Sequence, residues 1–320
     1  MAAPGRAHRQ GISLMELADR FPTEESARQW FEQTRWPDGV RCARCDGDKV
    51  TPVASGQPMP YRCRDCCQYF SVRTNSVMAR SKISFRKWAF GIYLSSTNLK
   101  GVSSMKLHRD LHITQKSAWF MAHRIRKALT ADEHLLEGPV EVDESYFGGR
   151  EKNRHMKNRR RHGRGPAGKA PVVAMRDRTT REIRARAIEH VNRTVLHLFI
   201  AANAAEDAMV YTDEHPAYDY LPNHEAVRHS VGEYVADQAH TNGIESFWAM
   251  LKRAYHGTYH HFSPKHLQRY VDEMATRQSL REMDTADLMG ELAARMVGRR
   301  LTYADLTAGG PAYPRREAGS

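Results

Sequence analysis

Two cysteine pairs set the tightest limit on how this chain can fold. Cys42-x2-Cys45 is followed, 17 residues on, by Cys63-x2-Cys66. Each pair presents two sulfurs from one tight turn, and two such pairs complete a tetrahedron around Zn²⁺. A segment this short cannot bury a core of its own, so the metal must supply much of its folding free energy. Four thiolates leave no open coordination position, which makes the expected zinc structural rather than catalytic. The adjacent Cys67 is a spare. Arg41, Arg44, Lys49, Arg62 and Arg64 surround the two knuckles, a setting that suits contact with DNA and equally contact with another protein.

The charge balance narrows the partner. Lys and Arg outnumber Asp and Glu 49 to 37, a net charge of +12 over 320 residues. Such an excess points to a polyanion, usually nucleic acid. The length suits two or three domains. No stretch approaches the 18 or so consecutive apolar residues of a membrane span, and Met1 to Gly11 lack the apolar core of a signal peptide. The chain is therefore expected in the cytoplasm, with its cysteines as reduced thiols or metal ligands.

Periodicity divides the chain into a helical segment at 1–35, the zinc ribbon at 36–75, a helical domain at 80–132, an α/β domain at 138–290 and a tail at 291–320. Ser84 reads as an N-cap before Phe85, Trp88, Ala89 and Ile92. Ser103 to Leu129 reads as two helices around a turn near His112-Ile113, the second capped by Thr114 and buried through Ala118, Ala122, Ile125 and Leu129. Its outward positions include Gln115, Lys116, Ser117, His123 and Arg124, and as a helix-turn-helix it would bring Gln115, Lys116 and Arg124 to DNA. An ordinary helical hairpin with a solvated basic face has the same pattern. Glu137-Gly138-Pro139 breaks the helical texture. Strands are then expected over Pro139–Tyr146, Val172–Met175, Glu182–Ile188, Met209–Tyr211 and Glu225–Arg228. Helices are expected over Thr194–Ala204 and Asn242–Tyr255, and the mixture defines an α/β domain.

Within that domain lies an acidic constellation. Val140-Glu141-Val142-Asp143-Glu144-Ser145-Tyr146 places an acid inside an apolar strand, where burying a carboxylate is costly unless it is paired or binds a cation. Val210-Tyr211-Thr212-Asp213-Glu214 puts a second acid at a strand end. Glu245 lies early in a helix, with Lys252 two turns further along the same face. Asp143, Asp213 and Glu245 together suit a pair of divalent cations, Mg²⁺ or Mn²⁺, of the kind that serve phosphoryl transfer. Lys252 suits a DNA phosphate. Glu144 and Glu214 are expected to point away as bystanders.

These pieces resemble the DDE transposases of bacterial insertion sequences that carry an N-terminal zinc ribbon and an ISXO-type RNase H-like catalytic domain. The resemblance rests on Trp36-Pro37-Asp38-Gly39, Phe70-Ser71-Val72-Arg73-Thr74, Val142-Asp143-Glu144-Ser145-Tyr146-Phe147-Gly148-Gly149 and Thr212-Asp213-Glu214. It continues through His240-Thr241-Asn242-Gly243-Ile244-Glu245-Ser246-Phe247-Trp248 to Lys252-Arg253, then Gly257-Thr258-Tyr259-His260-His261 and His266-Leu267-Gln268-Arg269-Tyr270. It implies Asp143 and Asp213 as metal ligands, with Glu245 or Asn242 as the third. Glu245 is favoured for its charge and its Lys252 partner. Arg277-Gln278-Ser279 departs from the family's Arg-x-Asn ending.

The resemblance further implies an RNase H-like mixed sheet flanked by helices, cleavage and strand transfer of DNA, recognition of terminal inverted repeats, and a homodimer or higher oligomer on double-stranded element and target DNA. The stretch from Arg150 to Arg164 holds eight Lys or Arg and one acid. Arg159, Arg160 and Arg161 within it are expected to grip DNA, as is Arg253 beside Lys252. His260, His261 and His266 read as polar tips of an aromatic packing face rather than as a metal site. A catalytically dead DNA-binding regulator and a nuclease without strand transfer are the rival functions.

Overall fold

The computed structural model describes residues 10–130, 134–149, 155–156, 168–226 and 242–308. The chain forms two compact units. One runs up to Leu129 and takes in Glu282–Ala308; the other is built from Thr130–Arg281.

The first unit begins with α1 (Leu14–Arg20) and α2 (Glu24–Arg35), opened by capping boxes at Ser13 and Thr23. Each box satisfies backbone N–H groups that have no partner within the helix. The ribbon follows as three antiparallel strands, β1 (Val50–Pro52), β2 (Tyr61–Cys63) and β3 (Tyr69–Phe70). Its core is small: Cys42, Ala43, Cys63 and Phe70, edged by Trp36 and Tyr61. Next, α3 (Phe85–Thr97) starts at Ser84, whose hydroxyl accepts from the Lys87 N–H. The Glu24 carboxylate accepts from the Phe85 and Arg86 N–H groups at 2.6 and 2.9 Å, a negative charge at the positive end of the helix. Helices α4 (Ser104–Leu111) and α5 (Gln115–Ala128) meet through His112, whose φ of 45° is left-handed, and Thr114 caps α5. A short turn thus joins the two helices.

The second unit is a five-stranded mixed sheet with the RNase H-like arrangement. Strands β4 (Val140–Phe147), β5 (Ala170–Asp177) and β6 (Ile183–Ala187) form an antiparallel meander. Helix α6 (Arg193–Ala201) then carries the chain across to β7 (Val210–Thr212), which lies parallel to β4, with β8 (His224–Ala226) parallel beyond it. The sheet order is β6-β5-β4-β7-β8. Alternation along β4 sends Val140 and Val142 to one face, where they join Leu196, Phe199 and Tyr218. The other face packs on α7 (Asn242–Ala254) and α8 (Leu267–Ser279) through Val172, Ala174, Ile244, Phe247, Leu251 and Val271. The sheet is thus covered on both sides, as an α/β core requires.

Two sequence expectations change here. Residues 282–308 were assigned to the end of the catalytic domain and a tail, but they belong to the first unit. Helix α9 (Thr285–Ala294) packs on α2 and α3. Val77 N–H bonds to Met296 O at 3.0 Å, and Thr302 caps α10 (Tyr303–Thr307). Leu288, Met289, Leu292 and Met296 are buried, which is the apolar gain that holds this return. The second change concerns Ser279, the departure from Arg-x-Asn. Its hydroxyl accepts from the Ile183 N–H at 2.9 Å, tying α8 to β6 in a role that a small polar side chain can fill.

Candidate functional site

The site grows from one face of β4. Glu141 and Asp143 are two residues apart, so their side chains leave the strand on the same side, toward α7. Glu141 has no exposed surface. It accepts the Ile244 N–H at 2.8 Å and pairs with Arg178 at 3.2 Å and Arg176 at 3.7 Å. Asp143 accepts the Trp248 indole N–H at 2.8 Å. The spacing explains why both bonds form. Four residues of helix advance about 6 Å, close to the roughly 6.6 Å covered by two residues of strand. One turn of α7 is therefore bonded to β4 at two successive rungs.

Asp213 is brought toward Asp143 by strand pairing. Val140 pairs with Val210 and Glu141 with Tyr211 in the parallel ladder. Asp213 follows the last residue of β7 directly, and its charge reaches Asp143. Burial pushes the Asp143 carboxyl up to about 6, with the charges of Glu144 and Asp213 adding to the shift and the Glu144 N–H opposing it. Two carboxylates whose charges act on each other in a half-dry site have the charge and donor chemistry of a divalent-cation site. The set fits Mg²⁺ or Mn²⁺ on those grounds.

Glu144 does turn to the opposite face, as alternation requires, but it is no bystander. It is half-buried and accepts the Tyr218 hydroxyl at 2.6 Å. Burial raises its carboxyl, and Asp213 adds to the rise. The contact ties the segment after β7 to β4. His215 N–H meanwhile donates to Asp213 at 3.1 Å.

The third carboxylate is not drawn in. Glu245 lies exposed on α7. Among the described residues, the four cysteines are the group whose ligand atoms converge within 4.8 Å, and the acidic triad does not form such a group. Asn242 begins α7, with its side chain outside the described residues. Further along the helix, Lys252 lines a cavity of about 320 Å³ with Ser145, Tyr146, Lys169, Tyr255 and His256. This cavity opens at the C-terminal end of β4, beginning two residues beyond Asp143. Arg253 is exposed, its Nε donating to Ala249 O at 3.1 Å.

The cysteine tetrad is assembled. Cys42 and Cys66 sulfurs lie 3.6 Å apart, and Cys45 and Cys63 3.7 Å apart. A tetrahedron with Zn–S bonds of about 2.3 Å has edges of about 3.8 Å, so these four thiolates are positioned to hold a zinc ion. Cys67 faces elsewhere, toward Arg64 O.

In the helix pair, Gln115 and Lys116 are exposed, as expected. Arg124 is not: it is 8% exposed, donates to Ala79 O at 3.1 Å and stacks on Phe120 at 4.1 Å. His123, also read as outward, is fully buried. The expectation failed because other parts of the first unit cover α5 beyond its first turn. Arg159, Arg160, Arg161 and most of 150–167 lie outside the described residues. Around the histidines, Tyr259, Phe262 and Tyr270 stack at 4.4–5.7 Å, while His260 and His261 are exposed.

Sequence reasoning missed Glu141, Trp248 and Tyr218. The signal for Glu141 was present, since an acid two residues from Asp143 must share its face. Nothing local marked the other two. No described helix is long and apolar enough to cross a membrane.

Residues 135–278 match the ISXO2-like transposase domain, and residues 22–69 match the transposase zinc-ribbon domain. An uncharacterized protein in transposable element ISH50 of Halobacterium salinarum is 31% identical over 248 residues, covering 73% of this chain and 83% of that protein. A chain from a cryo-EM structure of the simian T-cell lymphotropic virus intasome in complex with PP2A regulatory subunit B56 gamma aligns at 15% identity with a TM-score of 0.28. That alignment covers 59% of this chain and 65% of the other, so this chain spans slightly less than two thirds of its length. The chain belongs to the transposase family that joins a zinc ribbon to an ISXO2-like transposase domain.

Proposed function

We propose that this chain is an active DDE transposase that binds the terminal inverted repeats of an insertion sequence, cleaves the phosphodiester bond at their ends and joins the freed 3′-OH to target DNA. The observation that carries this reading is the parallel pairing of β4 with β7, after which Asp213 acts on Asp143 by its charge, while α7 is bonded alongside β4. A bound pair of Mg²⁺ or Mn²⁺ ions would activate the attacking oxygen and stabilise the leaving oxygen. Asp143 and Asp213 hold that charge from adjacent strands. Glu245, exposed on α7, would be the third donor, with Asn242 as the alternative. Trp248 fixes the Asp143 carboxylate, and Glu141 holds the start of α7. Lys252 neutralises a phosphate of the DNA passing the cavity, and Arg253 adds charge beside it. The basic stretch around Arg159–Arg161 and the exposed Gln115 and Lys116 supply further DNA contacts. Because two element ends must be joined, a homodimer or larger assembly on DNA follows.

The test is strand transfer with labelled element ends and Mg²⁺. Asp143→Asn retains an oxygen for the Trp248 indole, so the fold survives while the ligand charge is lost. Wild type is expected to cut and join; Asp143→Asn is expected to bind DNA and do neither. Equal activity in the variant sinks the assignment. Cutting without joining favours a plain nuclease, and DNA binding with no wild-type chemistry favours a regulator. Comparing Glu245→Gln with Asn242→Ala identifies the third donor, the larger loss of kcat marking the ligand.

A further inference from the structure

The first unit contains a cavity of about 980 Å³ whose lining arginines come from four separate parts of the chain. The zinc knuckle contributes Arg44. The turn-rich segment after the ribbon contributes Arg73 and Arg80. Helix α5 contributes Arg124, and the returning C-terminal segment contributes Arg300. No carboxylate is among the described residues that line it. Five arginines lining one space repel one another, and an anion held there would relieve that repulsion.

The individual side chains point the same way. Arg124 is 8% exposed, yet its Nε has no hydrogen-bond partner among the described residues. A buried guanidinium N–H without an acceptor is costly, and a water, an ion or a ligand can supply the missing partner. Burial and the neighbouring Arg73 together push Arg124 down to about 10. Arg73 is turned in over the Phe85 ring at 4.0 Å and donates to Ser81 O. Its nearest acid influence is Glu24, whose carboxylate is committed to the first N–H groups of α3. The fourth wall is anchored too. Tyr303 packs edge-on against Phe120 at 5.6 Å, and Arg299 donates to Ala128 O at 2.7 Å at the end of α5. Arg300, between them, is therefore held beside α5 rather than trailing free.

We infer that this cleft binds consecutive phosphates of a DNA backbone, so that the ribbon, α5 and the returning segment grip one stretch of duplex as a single surface. The inference deepens the DNA-binding part of the function proposed above and rests on it. It assigns phosphate contacts to Arg44, Arg73, Arg80 and Arg300, and it makes Arg124 a buried phosphate ligand rather than a reader of base edges. Arginine suits this role because its planar fork donates two hydrogen bonds to one phosphate. Backbone contacts of this kind position the protein and carry no sequence information.

The test uses the full-length protein and labelled duplexes, one carrying an element end and one of scrambled sequence, with affinity measured by fluorescence anisotropy across a salt series. Arg80 and Arg300 are exposed, so Arg80→Gln and Arg300→Gln remove charge without disturbing the core. Each is expected to weaken binding several-fold on both duplexes and to lower the slope of log K against log salt by about 0.9. Arg80→Lys and Arg300→Lys should keep the slope. Arg20→Gln, an equal charge loss at the end of α1 and outside the cleft, should leave affinity and slope near wild type. Wild-type slopes in both Gln variants, or an equal fall in Arg20→Gln, overturn the cleft while leaving the proposed transposase function standing. Failure of the wild type to bind either duplex overturns both. Inorganic phosphate titrated at constant ionic strength should not displace the DNA; displacement with one-site behaviour would make this a free-anion pocket and overturn the inference.

Discussion

At Glu141 a carboxylate with no exposed surface meets two arginines and one helix N–H. Removing one partner of a buried ion pair costs about 3–5 kcal/mol, because the remaining charge stays buried and uncompensated. Glu141→Gln is thus expected to lower the stability of the second unit by about 3 kcal/mol, although the amide oxygen can still accept from Ile244. A urea midpoint equal to wild type would remove Glu141 from this account. Gly243 tests the same contact from the other side. Gly243 is the second residue of α7, and alanine is ordinarily the better helix former. Here a Cβ would lie 1.7 Å from Arg176 Nη1 and 2.7 Å from Glu141 Oε2. The clash outweighs propensity, so Gly243→Ala should destabilise, and a rise in melting temperature would contradict the packing described. Asp143 makes a prediction of its own. Mg²⁺ should raise the melting temperature of the wild type by relieving its repulsion with Asp213, and Asp143→Asn should abolish the gain. An unchanged gain would move the cation site elsewhere.

Among the elements, the ribbon and the helices stand on different supports. The ribbon buries too little to hold three short strands, and the cysteine tetrad must make up the difference. Chelating the zinc is expected to expose the backbone amides of β2 and β3 to hydrogen exchange while those of β4 and α7 keep their protection. Uniform protection after verified zinc removal would show that the ribbon folds without metal. Helix α5 depends on its cap: Thr114→Ala should cost about 1 kcal/mol. The caps at Ser84 and Thr114 and the five strands of the sheet were legible in the sequence, because each depends on residues close along the chain. The outward reading of Arg124 and His123 failed for the opposite reason. A helical wheel separates an apolar side from a polar one, but it does not show that distant segments will cover the polar side as well.

Across the whole molecule, the chain leaves its first unit at Leu129, builds the second, and returns at Glu282. The returning α9 buries Leu292 against the opening helices, so Leu292→Ala is expected to cost about 2–5 kcal/mol. That loss should fall on the first unit, leaving the thermal transition of the second near its wild-type position; an equal shift in both transitions would contradict the division. What the sequence alone determined is local. The thiolate tetrad, the caps, the strand alternation and the acids at strand positions all follow from spacing within a few residues or within one short loop. The tertiary structure decided the rest: the pairing of β4 with β7 that lets the charge of Asp213 reach Asp143, the turn of α7 bonded to Glu141 and Asp143, the return of 282–308, and the arginine cleft. These join residues from tens of positions to more than two hundred positions apart. Such contacts depend on which faces bury the most apolar surface together, a choice that spacing along the chain does not encode.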